Sequence, residues 1–414
     1  MMSNDCDQSQ PALISYEKAL DTLLDKAVCV DESEIQPLTE SLGRIVTDPV
    51  ISTINVPPAD NSAMDGYAVR IEDLSTEGST RLPVVQRIAA GQAGKPLESG
   101  TAARIFTGAP IPDGADAVIM QEQVRQEGDD MTVFTTCKPG QNIRRAGEDI
   151  TQGDVVLQPG KKLRAQEMGL AASIGVAHLK VKRRLKVGLF FTGDELVEPG
   201  EPLEKGQIYD SNRYTLVGLL KAQGCEIIDL GIVGDNFNQT CDAIELATRE
   251  ADLVLTSGGV SVGEEDHIRA AIEKLGELLM WRINIKPGKP LVFGNVNNTA
   301  FIGLPGNPVS AFATYCLFVA PYVRKCQGNS ALKSSVIPVV ADFERLKPGK
   351  RREFLRARID LAEDGRLLAS LFPHQGSGVL TSTSWAEGFV VADSNQTIAK
   401  GDVIDYLSFK ELLD

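Results

Sequence analysis

Histidine is scarce in this chain, with three residues in 414. That argues against a histidine-rich zinc site. The seven cysteines stand at 6, 29, 137, 225, 241, 316 and 326, with no Cys-x-x-Cys pair and an odd total. Reduced thiols in a cytoplasmic protein fit this better than a disulfide frame. No apolar run reaches membrane-spanning length, and the acidic, polar N-terminus, expected to fray, lacks a signal-peptide pattern. Neither a Walker A sequence, nor Gly-x-Gly-x-x-Gly after a strand, nor a Gly-x-Ser-x-Gly elbow occurs. P-loop ATP hydrolysis, nicotinamide redox chemistry and α/β-hydrolase chemistry are disfavoured accordingly. There is no solenoid-period repeat and no low-complexity tract.

Positive charge is also in deficit. Lys and Arg total 42 against 56 acids, a net charge of −14. Binding to nucleic acid or a membrane surface through the whole molecule is therefore disfavoured. Basic islands remain at Arg144-Arg145, at Lys286 with Lys289, and at Lys350-Arg351-Arg352 with Arg356 and Arg358. Such islands on an acidic protein suit a small anionic ligand. The length exceeds what one core can serve, so several domains are expected.

Texture divides the chain. Residues 15–28 read as a helix with Ser15 as N-cap, and residues 38–46 as a second short helical stretch. Pro49, Pro57 and Pro58 then force extended backbone. Residues 67–145 carry short apolar runs between turn clusters, a β-rich pattern, and residues 164–173 return to helix. From Leu185, strands and helices alternate, which implies a parallel, doubly wound α/β domain whose ligands bind at the carboxyl ends of its strands. From Ser335, short strand runs suggest a small β-barrel or sandwich.

The most informative stretch is Leu253-Val-Leu-Thr-Ser-Gly-Gly-Val-Ser-Val-Gly-Glu-Glu-Asp-His267. It reads as strand, glycine turn and helix start, a junction that can receive an anion. Glu264, Glu265 and Asp266 lie beside it. Three further loops follow strands of the same domain: Thr192-Gly-Asp-Glu195, Gly231-Ile-Val-Gly-Asp235, and Lys286-Pro-Gly-Lys-Pro290 together with Leu304-Pro-Gly-Asn-Pro-Val-Ser310. On one rim they would offer the carboxylates Glu195, Asp235 and Asp266, two lysines and glycine-flanked backbone donors. That mixture fits a phosphorylated ligand bound with a hard divalent cation. Each piece also has a plain structural reading. An acid after a strand caps a helix, a Lys-Pro-Gly turn is solvated, and Pro308 starts a helix.

Taken together the chain resembles the molybdopterin molybdenumtransferase family, the molybdenum insertases that include the E domain of gephyrin. The resemblance rests on Asp60-Asn-Ser-Ala-Met-Asp-Gly-Tyr-Ala-Val69, Thr107-Gly-Ala-Pro110, Gly140-Gln-Asn-Ile-Arg-Arg145, Gly147-Glu-Asp149, Thr192-Gly-Asp-Glu-Leu196, Ile208-Tyr-Asp-Ser-Asn212, Ser257-Gly-Gly-Val-Ser-Val-Gly263, Ile285-Lys-Pro-Gly-Lys-Pro290, Gly303-Leu-Pro-Gly-Asn-Pro-Val-Ser310 and His374-Gln-Gly-Ser377. These run in family order over nearly the whole chain. The resemblance implies an elongated helical subdomain (13–56 and 146–180), a β-rich subdomain (57–145), a doubly wound molybdopterin-binding α/β domain (181–332) and a C-terminal β-barrel (333–414). It implies a cytoplasmic homodimer in which the partner's β-rich subdomain completes the active site. The implied reaction takes adenylylated molybdopterin, made upstream by a molybdopterin adenylyltransferase, inserts molybdenum from molybdate into the dithiolene and releases AMP, with Mg2+ (magnesium) as cofactor.

Matched by motif, the resemblance implies catalytic roles for Asp65, Thr107, Asp149, Glu195, Asp235 and Asp266, the last two as metal ligands. It implies substrate contacts from Ser257, Gly258, Gly259, Ser261, Lys286, Lys289, Pro305, Asn307, Arg356 and Ser377, with Arg356 clamping an oxyanion from the barrel side. One departure is Arg282, where many relatives carry lysine after the tryptophan; the charge survives. Related adenylyltransferases read Gly-Gly-Thr-Gly where this chain has Gly258-Gly259-Val260-Ser261, and nicotinamide-nucleotide amidase relatives lack the segment around Asp65. A scaffold role, as gephyrin's E domain also serves, would need a partner-peptide surface that the sequence does not display. A nucleotide-processing enzyme on the same fold is the remaining alternative.

Overall fold

The computed structural model describes residues 13–260, 267–330, 332 and 334–413. Expectations for the extreme N-terminus and for Ser261, Glu264, Glu265 and Asp266 fall outside the described residues. Among the described residues no helix is long and apolar enough to cross a membrane.

Near the N-terminus, the Ser15 hydroxyl accepts the Lys18 N–H at 3.3 Å and starts the helix Tyr16–Lys26. Ala19 and Leu23, one turn apart, are its buried face. The stretch 38–46 is less helical than its pattern suggests. It holds one 3-10 turn, Leu38–Glu40, after which Ile45 and Val46 bridge to Lys162 and Val181. These β-branched residues prefer the pleated ribbon to a helix interior. The same part of the chain pairs Ser33–Pro37 with His178–Lys182 and Val50–Ile51 with Val155–Leu157, and carries the helix Ala165–Ser173.

The β-rich part is a six-stranded sheet in the order Ala117–Met120, Gly66–Val69, Ala102–Ile105, Thr80–Ile88, Asp130–Val133, Val124–Glu127. Its two faces bury separate small cores.

The α/β sheet runs in the order Glu226–Val233, Lys186–Thr192, Leu253–Ser257, Thr299–Leu304, Pro290–Val296, Gly276–Arg282. The first four strands are parallel, and the last two are antiparallel additions. The hairpin behind that reversal turns on Asn297 and Asn298, at φ 52° and 64°. Asparagine tolerates the left-handed region that such a two-residue turn requires. Helices Phe237–Thr248 and His267–Leu275 cover one face, and helices Ser211–Ala222 and Pro308–Thr314 belong with the other.

The C-terminal strands close on themselves. Arg352–Leu361, Leu367–Leu371, Ile337–Ala341, Val403–Ser408 and Gly388–Ala392 form a ring, because the last also pairs with the first. Arg352 and Glu353 continue past the barrel to pair in parallel with Ile285 and Lys286. One apolar core spans both units, with Phe191, Ile302 and Phe318 from the α/β side and Phe354, Phe389 and Leu407 from the barrel. Phe389 packs edge-on against Phe409 (4.9 Å) and Phe354 (6.1 Å) and tilts against Phe312 (6.4 Å). Aromatic burial of this kind holds two units as one body. Phe389→Ala is expected to cost about 3–5 kcal/mol of unfolding free energy and to loosen the barrel from the rim; a denaturant midpoint equal to the native one contradicts this seam.

Candidate active site

At the carboxyl rim of the α/β sheet, facing the barrel, lies a cleft of about 800 Å³. Glu195, Asp235, Ser257, Gly258, Gly259, Lys286, Lys289, Pro305, Asn307 and Ser377 all line it. Sheet order arranges them. Asp235 follows the outermost strand, Glu195 the next, Gly258 and Pro305 the two central strands, and Lys289 precedes the antiparallel neighbour. Strands stand about 4.8 Å apart, so the strand ends that carry Glu195 and Asp235 lie three and four steps from the one that follows Lys289, about 14–19 Å at the backbone. The cleft is acidic at one end, glycine-floored in the middle and basic at the other.

The floor needs glycine for a packing reason. Gly258 sits at φ +103°, and a Cβ there would lie 2.3 Å from the Thr192 carbonyl oxygen. At Gly259, φ +61°, a Cβ would meet Thr192 Oγ1 and Ile268 Cγ1 at 2.9 Å each. The Gly258 N–H donates to the Leu304 carbonyl at 3.3 Å. This glycine therefore ties the two central strand ends together before it does anything for a ligand. Asn212 adds a clamp: its amide donates to Ser257 Oγ (2.9 Å) and to the Gly306 carbonyl (2.7 Å), while Ser257 Oγ donates to the Pro305 carbonyl (2.9 Å). Asn307 occupies the N-cap position of helix Pro308–Thr314, yet its side chain makes no capping bond.

Two buried polar atoms of cleft-lining residues, Thr192 Oγ1 and Asp210 Oδ2, have no hydrogen-bond partner among the described residues. Asp210 caps helix Ser211–Ala222 with its other oxygen, which accepts the Arg213 N–H at 3.0 Å. Burial pushes its carboxyl up, Glu198 adds to this, and the backbone N–H groups of Arg213 and Asn212 pull the other way. Unsatisfied buried atoms in a cleft are places where a ligand, ion or water belongs.

At the basic end, Lys286 Nζ lies 3.5 Å from Glu353, which also receives Arg345 at 2.9 Å. Arg356, expected to clamp an oxyanion, is enclosed by protein atoms. It is only 1% exposed and does not line the cleft. Its guanidinium donates to Ser382 Oγ (3.1 Å) and to the carbonyls of His374 (3.3 Å) and Gly376 (3.0 Å). Burial pulls its pKa down to about 10. Arg356 thus braces the loop that presents Ser377. Sequence reasoning missed Asp210, Asn212, Ser310, Arg351 and Gln375, all cleft-lining. The Ile208–Asn212 motif and the basic island at 350–352 carried the available signal. Arg282 is buried, its carbonyl accepting the Ile14 N–H at 3.2 Å, and it does not line the cleft.

Asp65 and Thr107 lie elsewhere, on the β-rich part, and Asp149 lies beside it. The Asp65 carboxylate accepts both the N–H and the hydroxyl of Thr107, each at 2.8 Å. Asp60 accepts Arg145 Nη1 (2.6 Å) and the Ala146 N–H (2.8 Å), and the Asp149 N–H donates to the Val56 carbonyl (3.0 Å). Three matched motifs therefore pack together at one surface. None of these residues lines the cleft of its own chain.

With the geometry in view, three family models match. Residues 14–175 match the MoeA N-terminal region (domains I and II), residues 188–325 a probable molybdopterin binding domain, and residues 338–409 the MoeA C-terminal region (domain IV). A molybdopterin molybdenumtransferase of Haemophilus influenzae is 42% identical over 408 residues, covering 97% of this chain and 100% of that protein. A molybdopterin molybdenumtransferase of Nostoc sp. is 39% identical, covering 85% of this chain and 83% of its own. The crystal structure of the molybdopterin biosynthesis protein moeA from Pyrococcus horikoshii OT3 superposes with a TM-score of 0.83 at 31% identity, covering 96% of this chain and 100% of that one.

Two outcomes follow from the site. Gly258→Ala forces a Cβ against Thr192 at an unfavourable φ, an expected loss of about 1–3 kcal/mol of stability, read by denaturant unfolding; an unchanged midpoint contradicts the close approach. The Asp65 carboxyl is held below its ordinary value by the Thr107 N–H first and the hydroxyl second. Its folded pKa is depressed, so this contribution is present above the unfolded carboxyl range and is lost as pH falls through the folded value. Thr107→Val, which keeps the N–H but removes the hydroxyl, should raise the Asp65 pKa part-way toward 3.8 in an NMR titration.

Proposed function

We propose, on the premise that this chain belongs to the molybdopterin molybdenumtransferase family and is a transferase of molybdenum cofactor biosynthesis, that its rim cleft takes adenylylated molybdopterin and molybdate, inserts the metal into the dithiolene and releases AMP. The observation that carries this reading is the convergence of Glu195, Asp235, Lys286 and Lys289 on one cleft. A ligand with phosphates, a polar ring and a separate oxyanion needs cations at one end and acceptors at the other.

The roles follow from charge and position. Lys286 and Lys289 offset negative charge on phosphate or molybdate, which in a half-enclosed cleft is worth more than in bulk water. Ser257, Gly258, Gly259, Pro305 and Asn307 shape the floor against which the ligand lies. Ser377 reaches in from the barrel, on the loop that Arg356 braces. The donor set suits magnesium. Glu195 and Asp235 are hard oxygen ligands lining the cleft; among the described residues no three acids, histidines or cysteines gather into a ready-made metal site, so magnesium would complete its shell with water and substrate phosphate. When bound there it would lower the charge on the phosphates; Glu195 and Asp235 would hold it. Asp266 keeps only its sequence-level assignment to this ion.

Asp65, Thr107 and Asp149 enter this reading through a second copy of the chain. None of the three lines its own cleft, and Asp65 and Thr107 are hydrogen-bonded to each other, so a homodimer that apposes β-rich part and rim gives them access to substrate. The scaffold alternative gains nothing from these observations.

The test is direct. Purified protein mixed with adenylylated molybdopterin, molybdate and magnesium should release AMP and form active cofactor. Lys289→Gln should lower kcat/KM by about a hundredfold. Native protein that releases no AMP under these conditions overturns the assignment.

A further inference from the structure

Glu353 is an acid in an unexpected place. It is only 4% exposed, at the joint where the start of barrel strand Arg352–Leu361 pairs with Ile285–Lys286. A buried carboxylate is costly unless it is paired and hydrogen-bonded. Here its two oxygens serve two different cations. Oε1 accepts from Arg345 Nη2 at 2.9 Å, and Oε2 lies 3.5 Å from Lys286 Nζ.

The two cations differ in kind. Arg345 is mostly buried and belongs to the barrel. Its backbone N–H donates to the Ile398 carbonyl at 2.7 Å, and its Nη1 donates to the Gln396 carbonyl at 2.8 Å. Room for the pair comes from Gly349, where a Cβ would collide with Glu353 Oε1. Arg345 alone balances the charge of the carboxylate, so neutralising Glu353 does not require Lys286. Lys286 stands directly across the ladder from Glu353, its side chain is half-exposed, and it lines the cleft. At 3.5 Å the amine is farther away than in a tight charge-assisted bond. It is oriented by Glu353 and still open to an anion in the cleft.

We propose that Glu353 is a positioning residue of the cleft: from the barrel side it fixes where the Lys286 ammonium stands before any ligand arrives. Lysine carries its charge on a flexible four-carbon stem, and an unheld ammonium samples many positions. A buried carboxylate, itself locked by Arg345, removes that freedom in advance, and such preorganisation favours the reacting geometry. Seating the barrel and placing Lys286 then become one event. What Lys286 meets in the cleft rests on the function proposed above; the hold itself rests on the geometry of Glu353.

Two variants and one cycle test this. Glu353→Gln keeps the shape and removes the charge, but leaves Arg345 buried without its carboxylate. The double variant Arg345→Gln with Glu353→Gln removes both charges of the barrel pair, and it decides the matter if the single variant fails to fold. In crystal structures of these variants the Lys286 Nζ should shift by about 1 Å or more, or lose its defined position. In turnover, kcat/KM should fall about tenfold. The same Glu353 change made on a Lys286→Gln background should have no further effect on kcat/KM, because Glu353 acts through Lys286. An unmoved Lys286 Nζ overturns the proposal. So does a loss of kcat/KM that is equally large with and without Lys286, or a lowered melting temperature with kcat/KM unchanged, either of which would confine Glu353 to holding the barrel together. Native protein that releases no AMP counts against the reaction, and the position of Lys286 in the crystal structures then decides the role of Glu353.

Discussion

The barrel is seated on the carboxyl rim of the sheet, and the cleft exists because of that seating. Two interactions hold it there. Phe354, Phe389 and Leu407 share one apolar core with the α/β domain. Arg352 and Glu353 extend a barrel strand along Ile285 and Lys286. The second matters most for chemistry, because the strand that carries Lys286 is itself the joint between the two units. Movement of the barrel would move the basic end of the cleft relative to its acidic end.

Within that frame the polar residues divide into those that build and those that bind. Arg356, Asn212 and the Gly258 N–H are committed to protein atoms. They fix loops whose other groups face the ligand. A site assembled from several strand ends needs such bracing, since small misplacements of reacting groups are costly. Strand order puts the acids at one end of the rim and Lys289 toward the other, so one end would meet an anion directly and the other through a cation.

Much of this was legible in the chain. Ser15 as a cap, the strand runs from Lys186 onward, and the loops bearing Glu195, Asp235, Gly258, Lys286 and Asn307 were readable because glycine, proline and alternating apolar runs act locally. What was not legible depends on tertiary partners. Arg356 and Arg351 look alike in sequence; which one is buried against the His374–Gly376 carbonyls is set by how the barrel closes. The antiparallel pair Pro290–Val296 and Thr299–Leu304 was hidden inside an alternating pattern, although Asn297-Asn298 is a turn signal that could have exposed it. Asp210 stands out in the sequence only as part of the Ile208–Asn212 motif, because an unsatisfied oxygen is a property of packing and has no sequence signature.

The central claim is that one polyanionic ligand lies along the rim, one anionic group meeting Lys286 and Lys289 directly and another reaching Glu195 and Asp235 through a magnesium ion. A crystal structure of the protein with adenylylated molybdopterin, molybdate and magnesium tests it most directly. The account predicts phosphate or molybdate oxygens within hydrogen-bond distance of Lys286 or Lys289 and the ligand resting on the Ser257–Gly259 floor. A ligand bound away from this cleft, or turned with its anionic groups against Asp235 and no cation between them, would contradict it.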